Sequence, residues 1–327
     1  MTIIYSKEGR LFDWDRSQLI TDDEVKIGDP LTIEFKRIFI SSKKFDKFGP
    51  SEILIVNHVK NKQTKDRTLE SIVYYDDDAK TKGSVLGKKT WGITRFDASE
   101  YGNPVCFHTP GYLGSIITIT TKFWEVDKYS SISSIIGGIG SALHLVSKTN
   151  PYLEIASTAA NYTSIILNGA VHHSELDDEH TIEFRLDSSC PLLPGKYICI
   201  PNADINEKNR VISDYFIDDN LLLKAVGEKD NFIFEEYKKS YFILKVTNHE
   251  RTDLADFDFI ASSADILREV NGDKEKVLQA NRDSYDLNIL KEIKKLEQEY
   301  NETGDDSITP YITALTKQLD KSNHTLI

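Results

Sequence analysis

Hydrophobic and polar residues alternate along much of the first 250 residues, in short runs rich in β-branched and aromatic side chains. A period of two predicts strands that turn one face toward a core. The runs with this pattern are Leu31–Ile40, Glu52–His58, Glu70–Tyr75, Trp91–Phe96, Ser115–Val126, Thr181–Leu186, Lys196–Ile200, Asp214–Ile217, Leu221–Lys224 and Ser240–Val246. Because turn residues rather than long helices separate these strands, the sequence predicts a mainly-β (α+β) protein built on an antiparallel β-sandwich.

The pattern is interrupted between Tyr129 and His173, where the only formal charges belong to Lys148 and Glu154. Asn150-Pro151 divides this segment into two halves of helical length, and proline is well tolerated in the first turn of a helix. Both halves are rich in glycine, alanine and serine, which let two helix backbones approach closely. The segment therefore predicts a helical hairpin, inserted into the β-sandwich at residues 129–173.

After about residue 250 the hydrophobic period becomes that of a helix. Ile289, Ile293, Leu296 and Tyr300 recur on one helical face, and the stretch from Ile308 to Leu319 carries a second apolar stripe. Ser307 is in a position to cap this last helix. We therefore expect a β-sandwich domain over residues 1–250, with the hairpin inserted, and a helical C-terminal extension over residues 251–327.

The overall charge makes some classes of partner unfavourable. The formal net charge is −12, so the protein repels a phosphate backbone, and no basic stripe offsets that field. We expect no binding to nucleic acid.

The N-terminus lacks the apolar core of a signal peptide, and no stretch reaches the roughly 18 apolar residues of a membrane span. These features predict a cytoplasmic protein.

Motifs for covalent catalysis are absent from the sequence. Cys106, Cys190 and Cys199 follow no redox or metal-binding spacing. Cys106 and His108 share a face if they lie on a strand, but a buried structural thiol explains Cys106 more simply. Neither a G-x-S-x-G elbow nor a phosphate-binding loop occurs. The sequence therefore favours a protein that is not an enzyme, and we assign no catalytic residues and no family.

Two sets of residues have the chemistry to bind a metal. Clustered carboxylates suit calcium, which prefers six to eight oxygen ligands, and neighbouring imidazoles suit zinc. The candidate ligands are Asp76, Asp77, Asp78, Asp177, Asp178, His172, His173 and His180. Short acidic runs also arise in the solvated turns of a protein with 52 acidic residues. No cofactor is firmly indicated, and calcium or zinc remains an alternative.

The leading hypothesis is an interaction or assembly protein that binds a protein partner, or itself, through the 129–173 hairpin and the C-terminal helices. The residues expected to make these contacts are Ile136, Ile139, Leu143, Ile289, Ile293 and Leu296. A second hypothesis is a peripheral membrane or membrane-perturbing effector, gated by calcium at the aspartate runs. A third is a metal-dependent hydrolase centred on His172, His173 and His180.

Overall fold

The structure is a computed structural model of the whole chain. It describes residues 2–7, 10–13, 24–42, 45, 51–61, 69–83, 89–93, 104–114, 116–126, 173–175, 180–184, 192–200, 214–226, 234–251, 254 and 274–323.

Strands dominate the described part of the chain up to residue 247. In chain order they are β1 (Thr2–Lys7), β2 (Arg10–Asp13), β3 (Leu31–Ser42), β4 (Ser51–Lys60), β5 (Leu69–Ala79), β6 (Lys82–Gly83), β7 (Lys89–Ile93), β8 (Val105–Thr109), β9 (Ile117–Val126), β10 (His173–Glu175), β11 (His180–Phe184), β12 (Gly195–Ile200), β13 (Tyr215–Ile217), β14 (Leu223–Val226), β15 (Phe234–Glu236) and β16 (Tyr241–Thr247). Two helices follow, α1 (Lys274–Thr303) and α2 (Thr309–Asn323), with a 3-10 turn (Asp306–Ile308) between them.

The strands form three sheets in which every pairing is antiparallel. Sheet A has the order β2-β1-β12-β16-β3-β7-β6, and β8 pairs with the first part of β3. Sheet B has the order β10-β9-β4-β5, and β11 pairs with the first part of β9. Sheet C is the small meander β13-β14-β15. The long strand β3 is buried along almost its whole length, which makes it the centre of the molecule.

Sheets A and B pack face to face around the main hydrophobic core. The ring centroids of Phe123 and Phe242 lie 6.3 Å apart across this interface, and those of Phe184 and Tyr197 lie 5.2 Å apart. Alternating side chains of each strand enter this core, as the burial pattern of β11 shows. The arrangement explains the period of two in the sequence.

Sheet C covers the opposite face of sheet A. Tyr241 and Ile243 of β16 pack there against Tyr215 and Leu223 in a second hydrophobic cluster. Sheet A is therefore covered on both faces, which is why β3 is buried along almost its whole length although its sequence alternates apolar and polar residues.

The structure confirms the prediction of a mainly-β protein with antiparallel sheets and a helical C-terminal region. The predicted strands lie within one or a few residues of observed ones. The sequence did not predict β1, β2, β6, β8, β10 and β15, nor that β13–β15 form a separate sheet C. The expected hairpin at 129–173 lies outside the described residues, and the domain boundaries stay a prediction. Among the helices described here, none is long and apolar enough to cross a membrane.

Candidate interaction surface

Helices α1 and α2 form an antiparallel pair whose connection is set by local backbone chemistry. Gly304 ends α1 with a positive φ of 65°, and its N–H donates to the carbonyl of Tyr300 over 2.7 Å. The carboxylate of Asp305 then accepts from Ser307, through the side chain and through the backbone N–H at 2.9 Å, and these two hydrogen bonds lower the pKa of Asp305. The expected cap at Ser307 is therefore wrong: Asp305 caps the 3-10 turn, and α2 begins at Thr309.

The apolar stripe of α1 is covered within the chain. Ile289 and Ile293 are only 7% and 8% exposed, and they pack against Leu315 of α2. Leu296, Ile312 and Leu319 flank this contact, and Leu113 joins it from the loop after β8. The sequence placed Ile289, Ile293 and Leu296 on one face, as observed. Leu315 and Leu113 of the same chain already cover this face. That these three residues bind a partner stays a prediction.

Helix α2 packs on two loops of the β region, at Gly28 and at Gly111. A side chain at Gly111 would meet the backbone of Ala314 at 2.6–2.7 Å, so only glycine permits this approach. The ammonium of Lys317 donates to the carbonyl of Gly28 over 2.8 Å, and Gln318 donates to the carbonyl of Gly111 over 3.1 Å. The backbone N–H of Gly28 in turn donates to the carbonyl of Tyr112. The helical pair therefore has a defined position on the β sheets.

The outer face of α1 carries two leucines that the described part of the chain does not cover. Leu287 is 51% exposed and Leu290 is 41% exposed. They lie one turn apart on the helix, and Lys294 and Glu297 continue the same exposed face. Two leucines at i and i+3 are visible in the sequence, but the longer apolar stripe on another side of α1 is the stronger periodic signal, so this pair was not predicted.

A shallow cleft of about 460 Å³ lies between the loop before β3 and the beginning of α2. Asp29, Asp306 and Lys317 supply its charges, and Thr309 and Thr313 supply hydroxyl groups. The Lys317 ammonium is already bound to Gly28, and the cleft opens widely to solvent. The cleft is therefore better explained as the place where α2 packs on the loop than as a small-molecule site, which would enclose most of its ligand.

Those predicted metal ligands that the structure describes are dispersed. Asp76, Asp77 and Asp78 lie within β5, which continues past the predicted end of this strand at Tyr75. His173 pairs with Val126 and His180 with Thr121 along β9, so the two backbones are separated by about 17 Å at 3.4 Å per residue.

His180 itself is a core residue. Its ring lies 5.7 Å from that of Phe123 and 6.2 Å from that of Phe242, between sheets A and B. His172, Asp177 and Asp178 lie outside the described residues. Within the described ranges, no group of three or more histidine, cysteine or acidic side chains could hold a metal ion. The calcium and zinc hypotheses otherwise stay predictions.

Cys106 lies in an environment that suppresses nucleophilic reactivity. Its thiol is fully buried, and burial raises its pKa far above the ordinary value, although the nearby amide of Asn57 opposes the shift. His108, two residues further on β8, forms its Nδ1 hydrogen bond with the hydroxyl of Thr32 over 2.9 Å. Burial also raises the pKa of Cys199. Both thiols fit the structural role expected from the sequence.

The expected contact residues Ile136, Ile139 and Leu143 lie outside the described part of the chain. Searches for relatives gave no match among protein-family models, curated proteins or solved structures. Among the surfaces that the described residues form, the most specific feature is the exposed face of α1.

Proposed function

We propose that this protein is a non-enzymatic interaction protein, and that it binds a protein partner or a second copy of itself through the exposed face of α1. The observation that supports this proposal is the pair Leu287 and Leu290, half-exposed on a helix whose opposite face is already buried. Within the described part of the chain, the stripe of Ile289 and Ile293 makes the contact with α2, and Leu287 and Leu290 take no part in it.

The chemistry of this face matches a helix-in-groove or helix–helix contact. Such contacts use apolar anchors at i and i+3 or i+4, surrounded by charged residues that remain hydrated. Leu287 and Leu290 provide the anchors, and Lys291, Lys294 and Glu297 provide the charged rim. A single exposed leucine is common on protein surfaces and needs no explanation. What supports an interaction site here is that two exposed leucines lie one turn apart on the same helix.

The position of α1 supports the same proposal. Its 30 residues extend about 45 Å, whereas the 15 residues of α2 extend about 22 Å. The contacts of α2 with Gly111 and Gly28 hold the pair against the β region, so α1 presents its outer face in a fixed orientation. A preoriented surface lowers the entropy lost on binding.

The experiment is site-specific photo-crosslinking of the full chain in the cells that produce it. A photoreactive residue at position 290 is expected to form adducts of defined mass, and the additional change Leu287→Asp is expected to abolish them. Position 299, exposed on another face of α1, is the matched control. Equal adducts at positions 290 and 299, or none at position 290, would contradict the proposal.

The membrane and hydrolase hypotheses depend in part on residues outside the described ranges, and no specific observation on the described residues favours either. Vesicle co-sedimentation in chelator and in millimolar calcium tests the first. Metal analysis of the purified protein tests the second.

A further inference from the structure

We draw no further inference here: the strongest candidate, the exposed face of α1 that carries Leu287 and Leu290, supports no choice of partner, because nothing in the described part of the chain shows what covers it.

Discussion

The hydroxyl group of Tyr241 connects sheets A and C. It accepts from the Nε–H of Arg37 on β3 over 2.9 Å and from the backbone N–H of Leu223 on β14 over 3.1 Å. Arg37 also donates to the carbonyl of Asn220, beside the turn that leads into β14. Burial raises the pKa of Tyr241, although the Leu223 N–H and the Arg37 charge both oppose that shift. A buried guanidinium is thus stabilised by the layer that covers it.

Tyr241→Phe is expected to lower the free energy of unfolding by about 1–3 kcal/mol. The ring remains, but Arg37 and Leu223 lose their shared acceptor in a buried site, and unsatisfied buried donors are costly. Urea denaturation followed by far-UV circular dichroism measures the change.

Tyr300→Phe is the control for this prediction. It removes a hydroxyl whose hydrogen bond to Asp306 is 3.3 Å long and exposed, so its expected cost is below about 0.5 kcal/mol. Equal effects of the two substitutions would show that the Arg37–Tyr241 contact does not stabilise the packing of sheet C.

The position of α2 depends on the close approach of two backbones. Gly111→Ala is expected to displace α2, because the new Cβ would lie 2.6 Å from the Ala314 carbonyl oxygen and backbone cannot yield as a flexible side chain does. We expect faster amide hydrogen exchange in α1 and α2, with little change in sheet B. Hydrogen exchange followed by mass spectrometry measures both regions.

Gly304→Asn is the control for the displacement of α2. Gly304 has a positive φ, which asparagine tolerates, and a Cβ there would contact nothing within 4 Å. Unchanged exchange in α2 of the Gly111→Ala variant would mean that the loop after β8 adjusts instead.

At the scale of elements, the sequence predicted what is periodic and missed what depends on distant contacts. Strand β11 alternates buried and exposed positions, and β9 alternates buried and half-buried positions from Ile117 to Phe123, so their period was readable. All five residues of β8 are buried, and so this short strand shows no alternation. The stripe of Ile289 and Ile293 was likewise predictable, but its covering by Leu315 and Leu113 is a tertiary contact that periodicity does not encode.

At the scale of the whole molecule, alkylation of the two described thiols can show whether sheets A and B come apart, because both thiols lie between these sheets. Cys106 on β8 and Cys199 on β12 belong to the same core cluster between these sheets. We expect both to resist alkylation in the native protein, because each is buried and its pKa is raised, so little thiolate exists at neutral pH.

Their alkylation is expected to follow the same urea midpoint as the far-UV circular dichroism signal. Peptide mass spectrometry separates these two sites from Cys190. Labelling without urea, or at a clearly lower midpoint, would show that the sheets separate locally before the molecule unfolds.

The pairing of β10 with β9 has a consequence for how the sequence can change. Val126 and His173 are register partners, so the chain leaves sheet B and returns to it at neighbouring positions. The backbone hydrogen bonds between β9 and β10 hold the two ends of the connecting sequence together, whatever that sequence is. The entropic cost of closing such a connection grows only slowly with its length. This junction is therefore a natural place for lineages to gain, lose or exchange sequence, and for an engineer to insert a reporter.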